Sequence, residues 1–386
     1  MFNQLLAIAG LLLVTSGSAW AFPENVRHHY LNCTTCHVSP SGGGLLTGYG
    51  RELSRELMST WGRDGEAQFA YGLFKTPEWL NLGGDYRSVY LYRDDPRVRQ
   101  GYTQFMQADV EAGVTYSKFT LVGSLGYRQT SPTDGSRPGY GAPTGNSLVD
   151  HLISRRHYLL YQPTDELGIR VGRFYPQYGL NIPDHYVATR QLPLLWDETF
   201  ESYNLEASWV GETFNGYATI IRGRPDVNSP VGVGDRDTGW ALSGWLPFGD
   251  STKVGANFLR SFNAAQSRTL LGPSAMLGFT SRFYLLTELD LQFAQPTNAA
   301  QPSTSGAVNY QKLGFELIQG LHLYASEDYR KIDFKNERSS LFRYGPGIQW
   351  FPRPHFEFNL NWLRVNSSSF PNNTTDFIWF LWHYYL

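Results

Sequence analysis

At 386 residues with a formal net charge of −2, the chain shows no basic block that would mark a nucleic-acid partner. Aromatic residues make up 15% and there are 39 glycines, yet mean hydropathy is only −0.34. Past the first 21 residues no apolar run approaches the roughly 20 residues a membrane helix needs, so a helical membrane protein is excluded. The combination suits a transmembrane β-barrel, whose apolar signal is spread over alternate residues; a secreted β-sandwich or propeller is the competing class.

Taken in order, residues 1–21 read as a signal peptide. The apolar run Leu5 to Val14 is too short to span a bilayer and leads to Ala19-Trp20-Ala21, an A-x-A-like cleavage site, although no Lys or Arg precedes it. Cleavage is therefore expected, with a retained anchor as the alternative.

Residues 22–75 have a different character. Cys33-Thr34-Thr35-Cys36-His37 holds the only two cysteines of the chain in a C-x-x-C-H pattern, the attachment signal for a c-type haem. Two thiols three positions apart can each bond a haem vinyl group, and the adjacent His37 supplies an axial nitrogen. A redox disulfide pair, or a zinc site lacking two further ligands nearby, is the competing reading. A short helix is expected within Pro23 to Asn32, and Ser39-Pro40-Ser41-Gly42-Gly43-Gly44 forms a turn that lets backbone pass close to a flat cofactor. A second helix follows Thr47, with Leu53, Leu57 and Trp61 on one face. So short a segment buries little core alone. The expectation is a small α-helical monohaem c-type cytochrome segment with one covalent haem.

From residue 76 the period changes to two. Met106, Ala108, Val110, Ala112, Val114 and Tyr116 alternate with Gln107, Asp109, Glu111, Gly113 and Thr115, and Phe356, Phe358, Leu360 and Trp362 alternate with Glu357, Asn359 and Asn361. About sixteen strands are expected, near 79–93, 101–116, 118–130, 148–162, 167–175, 202–211, 214–223, 237–247, 252–261, 267–279, 282–294, 307–318, 321–331, 340–351, 355–365 and 376–386. Tight connectors alternate with longer ones, two of which (94–100 and 262–266) are only moderately long. Short turns at one end and long loops at the other, with an even strand count and a closing aromatic strand through Phe380, Trp382 and Tyr384, is the outer-membrane arrangement. The fold expected is thus mainly β: an antiparallel transmembrane barrel over residues 76–386, in contact with outer-membrane lipid.

The haem segment resembles the fused outer-membrane cytochrome–porins, in which a monohaem cytochrome precedes a barrel of this size. Their pattern of C-x-x-C-H, a Pro, then L-T-x-x-G-R is matched by Cys33, Cys36, His37, Pro40, Leu46-Thr47 and Gly50-Arg51. The chain departs from it in the insertion from Ser41 to Leu45, in Leu53 and Ser54 after the G-R pair, and in the residues before Cys33. The resemblance implies electron transfer across the outer membrane. It also implies an extracellular donor, ferrous iron in the best-known members, and a periplasmic cytochrome or other carrier as partner.

The ligand opposite His37 stays open between Met58, either of His28 and His29, and a histidine of the barrel. Met ligation raises a haem potential, and a second histidine gives a lower one. The loop 175–201, with Asp184, His185, Arg190, Asp197 and Glu198, is expected to narrow the pore or to form a donor site, since His and carboxylates suit ferrous iron. Arg155 and Arg170 are expected to pair with Glu288 and Asp290. No Ser/His/Asp set or phosphate loop is present. The alternative function is a transport porin whose haem segment is a sensor or tether; an exported haem enzyme is a third class.

Overall fold

The computed structural model describes residues 23–127, 151–182, 187–191, 201–223, 237–369 and 374–386. The expected signal peptide therefore lies outside the described residues.

Seventeen strand segments build one sheet: β1 Leu80–Asp94, β2 Arg99–Tyr116, β3 Phe119–Tyr127, β4 Leu152–Ile153, β5 His157–Tyr161, β6 Leu167–Phe174, β7 Ser202–Val210, β8 Asn215–Ile221, β9 Thr238–Phe248, β10 Thr252–Phe262, β11 Gln266–Gly278, β12 Phe283–Pro296, β13 Thr304–Ile318, β14 Leu321–Lys331, β15 Ser340–Trp350, β16 Phe356–Ser367 and β17 Thr374–Tyr385. Segments β4 and β5 both pair with β3 and form one interrupted stave. Each stave is antiparallel to its sequence neighbours, and β17 pairs with β1 from Asp85↔Tyr385 to Asp94↔Asp376. Sixteen staves thus close a barrel with no free edge.

The period-two pattern sets the two faces. On β7, Asn204, Glu206 and Ser208 are buried while Leu205 and Trp209 are exposed. The same inversion of a soluble protein recurs at Asp109 and Glu111 against Val110, and at Glu357, Asn359 and Asn361 against Leu360 and Trp362. Polar residues line the lumen and apolar ones face lipid.

Two expectations about the wall need correction. The strand expected over 148–162 is broken because Arg155 and Arg156, consecutive in sequence, both turn to the lumen. They meet Asp109 at 3.1 Å and Glu111 at 3.3 Å, which a regular strand forbids. At the loop end, the connections 95–98 and 263–265 are tight, because β1, β2, β10 and β11 extend further than expected.

Residues 23–60 fill the lumen at the short-turn end. They are not the helical unit expected: Pro23–His28 and Cys33–Thr35 are 3-10 turns, and the only α-helical turn described in this stretch is Gly48–Leu53, which runs into a π turn at Ser54–Met58. Contacts with the wall replace long helices. Glu24 meets Lys312 at 2.6 Å, Arg27 meets Glu316 at 3.0 Å, and Lys253 Nζ donates to the Leu31 carbonyl at 2.6 Å. Arg170 donates to Ser39 Oγ at 2.7 Å and Ser41 Oγ at 2.8 Å, and Tyr217 donates to the Pro40 carbonyl at 3.0 Å. The helix stops at Met58, so Trp61 does not share the face of Leu53 and Leu57; it is 57% exposed and stands edge-on to Trp350.

Wall glycines make room for this plug. A Cβ on Gly113 or Gly83 would lie 2.6 or 2.8 Å from the buried Leu45 side chain, and one on Gly278 would lie 2.6 Å from Arg27 Cα. Glycine inside a strand marks such close approach.

The chain after β6 enters from the opposite side. Tyr178 donates to Asp290 at 2.8 Å, and the Leu180 amide donates to Glu288 at 2.7 Å. Leu180, Ile182 and Val187 pack on Tyr217, Trp245, Tyr284, Leu286 and Tyr310 of the lumen. Asn181 donates to the Ser41 carbonyl at 2.9 Å, so the two insertions meet.

Candidate functional site

The C-x-x-C-H stretch forms a single tight turn. The amides of Cys36 and His37 both donate to the Cys33 carbonyl, at 3.2 and 3.0 Å, which brings both thiols and the imidazole onto one turn. Cys33 and Cys36 are not joined in a disulfide.

The residues after the turn clamp it. Thr47 donates through Oγ1 to the Thr35 carbonyl at 2.8 Å, and its oxygen accepts from the Gly50 amide at 3.0 Å, capping the short helix. A Cβ on Gly50 would lie 2.4 Å from the Cys36 carbonyl oxygen, so only glycine lets that helix sit against the turn. Arg51 reaches out to the Leu82 carbonyl at the start of β1, at 2.9 Å. Thr47, Gly50 and Arg51 therefore cap, approach and anchor the turn. Gly42, at φ +80°, passes close to Cys33 and His37.

His37 Nδ1 lies 3.2 Å from the Gly44 carbonyl oxygen. The N–H on that nitrogen donates, which leaves the Nε2 lone pair available. Burial, with a smaller push from the Arg156 charge, lowers the imidazole to about 4 despite that hydrogen bond, and the ring is neutral at ordinary pH. Burial pushes the Cys33 thiol up, opposed by Lys253.

His37 borders a cavity of about 200 Å³ that opens to solvent. The plug contributes Ser41, Gly42, Gly43 and Gly44, the β6 loop contributes Tyr175 and Asn181, and the wall contributes Asp85, Arg87, Glu111, Arg156, Glu357 and His383. Neither thiol borders it: Cys33 lies near Lys253, and Cys36 packs with Leu53, Tyr30 and Leu57. Two thiols and an imidazole on one turn, with Gly42 close to Cys33 and His37, are the donor set a c-type haem would use.

The other site candidates fall elsewhere. Met58 is buried in a separate small cavity with Glu24, Arg27 and His322. His28 Nε2 lies 3.5 Å from Glu316, and His29 lies 3.2 Å from Ser251. None of the three borders the His37 cavity. Of the β6 loop candidates, Asp184, His185, Asp197 and Glu198 lie outside the described residues, and Arg190 belongs to the helical turn Ala188–Gln191. Arg170 pairs with Glu206 at 2.7 Å and Arg155 with Asp109; Glu288 and Asp290 hold the inserted loop. Pairing follows register between adjacent staves, where Arg170 stands directly opposite Glu206.

Sequence reasoning missed His383, Glu357, Asp85 and Arg156 as part of the cavity that His37 borders. The alternation does place His383 on the lumen face between outward Trp382 and Tyr384, but it says nothing about which part of the wall the plug meets.

No protein-family model and no curated protein matches the sequence. Solved structures do. OmpT expressed in the outer membrane of Vibrio cholerae aligns at TM-score 0.59 and 10% identity, over 81% of this chain and 99% of that one. An anion-selective porin from Comamonas acidovorans aligns at 0.58 and 8%, over 80% and 99%. OprB of Pseudomonas putida aligns at 0.56 and 8%, over 80% and 94%. The likeness is one of fold, a closed antiparallel barrel, and does not extend to a fused cytochrome. The chain is an outer-membrane β-barrel of the porin fold.

Proposed function

We propose that this barrel carries one covalent c-type haem on Cys33 and Cys36, with His37 as axial ligand, and passes electrons across the outer membrane. The observation that carries the reading is the C-x-x-C-H turn seated inside the lumen beside a solvent-connected cavity, with His37 Nε2 left free. Bound there, the haem supplies a one-electron couple. Thr47, Gly50 and Arg51 fix the turn to the wall, Gly44 orients the His37 ring, and the two inserted segments restrict water around the site. A reductant at the loop end, ferrous iron by the family resemblance, is the donor. A periplasmic carrier docks at the short-turn end, where the plug is exposed.

The second reading is a transport porin whose haem segment serves as sensor or tether. It is favoured by the fold likeness to proteins described as porins and channels. Against free solute flow stand the two insertions, which meet at Asn181 and Ser41 and bury Leu180 and Ile182 in the lumen.

Purified protein in sealed vesicles, with donor outside and acceptor inside, separates the two. Electron transfer that requires Cys33 and Cys36, with little solute conductance, supports the first reading. Ready solute flux without electron transfer sinks it in favour of the second.

A further inference from the structure

Between the plug and β1 the chain crosses the short-turn rim, and residues 59–79 form a strap there. The strap is pinned to turns of the wall. The Thr60 and Trp61 amides donate to the Phe351 and Pro352 carbonyls at 2.9 and 3.0 Å, and Thr60 Oγ1 donates to the Gln319 carbonyl at 2.9 Å. Arg353 donates to both carboxylate oxygens of Glu66 at 2.8 and 3.1 Å, and His355 Nε2 lies 2.8 Å from the Glu66 carbonyl oxygen.

Two contacts join the strap to the lipid face of the barrel. Gln349 faces the lumen, where it meets Glu357, so its neighbour Trp350 points outward. Trp350 Nε1 donates to Thr60 Oγ1 at 3.1 Å, and its ring stands 5.7 Å from that of Trp61. The outward row runs on from Trp350 to Phe358 at 6.2 Å and from there to Phe380 at 6.1 Å. Trp61 therefore continues a lipid-facing aromatic row onto the strap. The second contact is Tyr71, whose hydroxyl is hydrogen-bonded to Tyr384 on the outward face of β17; the Tyr384 ring packs on Phe356 at 4.9 Å. Ala70 and Tyr71 hold left-handed backbone, φ +49° and +57°, which residues with side chains seldom adopt. Just beyond this turn Leu73 and Phe74 are 79% and 65% exposed. Apolar side chains in continuity with a lipid-facing band, beside Trp and Tyr, have the composition of a membrane–water interface.

We propose that residues 61–74 form an interfacial anchor seated among the phospholipid headgroups of the periplasmic leaflet, with Trp61, Leu73 and Phe74 inserted and the exposed Arg63 and Asp64 left in water. The short-turn end is the one that faces this leaflet. The anchor ties the point where the plug leaves the lumen to the bilayer, and it is independent of the haem reading.

The test puts the photocrosslinking residue p-benzoylphenylalanine in place of Phe74 in the full-length protein, in outer membranes whose phospholipid is labelled with tritiated glycerol. On irradiation the barrel band is expected to take up label from this position, as it does with the crosslinker in place of lipid-facing Leu121. No label is expected with the crosslinker in place of Asp64. Label from the Phe74 position no higher than from the Asp64 position overturns the proposal, as does crosslinking to a periplasmic protein or to a second copy in place of lipid. Heat-modifiable migration on a gel reports whether the variant forms the barrel; if it does not, Leu73 is replaced instead and the same outcomes apply. Trp61→Phe supplies an independent readout in vesicles of phosphatidylethanolamine and phosphatidylglycerol. The emission of Trp61, taken as wild type minus W61F, is expected to be lost when the lipids are brominated close to the headgroup. Emission that persists removes Trp61 from the bilayer and overturns the anchor.

Discussion

Around the wall every stave is bonded on both edges, whereas the plug inside holds on through a small set of side chains such as Glu24, Arg27, Lys253 and Leu45. The wall is redundant. Its backbone ladder closes on itself from β17 to β1, and an outward leucine contributes mainly a few contacts with lipid. The plug is singular. Its polar groups are buried in a lumen where an unpaired charge finds little water, so each partner matters individually. The difference teaches that one substitution in the lumen should move the plug while leaving the barrel standing, and the following tests press on that contrast.

The largest effect is expected at the turn itself. Replacing both Cys33 and Cys36 by Ser should abolish covalent haem entirely on a haem-stained gel, while heat-modifiable migration of the barrel stays as in wild type. Haem that survives this change would remove the attachment reading.

Next comes the buried pair. Lys312→Ala leaves Glu24 charged and uncompensated in the lumen, at a cost of about 3–5 kcal/mol to plug seating. Protease sensitivity of the stretch from 23 to 60, and ionic conductance in a planar bilayer, should both rise. Leu45→Ala empties the space shaped by Gly83 and Gly113 and should weaken seating by about 2–5 kcal/mol, read by the same two assays.

A pH titration sharpens the point. Burial by itself pushes the Glu24 carboxyl up, but the charge and hydrogen bond of Lys312 overrule it and hold the group below the usual carboxylate range. For a carboxyl held low, the contribution to seating is complete above the usual range and is lost as pH falls through the lowered value. Conductance should therefore stay flat through neutral and mildly acidic pH and rise only in strong acid. In K312A the onset should move to higher pH; an unchanged onset would mean that this pair does not hold the plug.

The smallest effect belongs to the wall. Leu121, 59% exposed on the lipid face of β3, should tolerate alanine with plug seating, haem content and gel migration unchanged. A released plug in L121A would erase the distinction between the two regions.

Much of the wall was legible in the sequence because its code is local. Strand period, turn placement and the inward or outward sense of each residue follow from alternation alone, as Glu206 between Leu205 and Ala207 illustrates. Where local reading failed, a non-local contact had intervened. Arg155 and Arg156 break their strand to reach Asp109 and Glu111 on β2, and Arg170 pairs with its register neighbour Glu206. The plug was harder to read. Its polar residues satisfy the wall in place of their own backbone, so helical spacing gave little guidance past Leu57.

By itself the sequence determined the barrel, its polar lumen and the C-x-x-C-H pentapeptide, since each is written in neighbouring residues. Only the tertiary structure decided where that pentapeptide lies. Closure of β17 onto β1 carries His383 to the cavity bordered by His37, and Leu45 enters the gap left by Gly83 and Gly113. Those residues stand tens to hundreds of positions apart, and barrel closure, which brings them together, is a property of all sixteen staves at once.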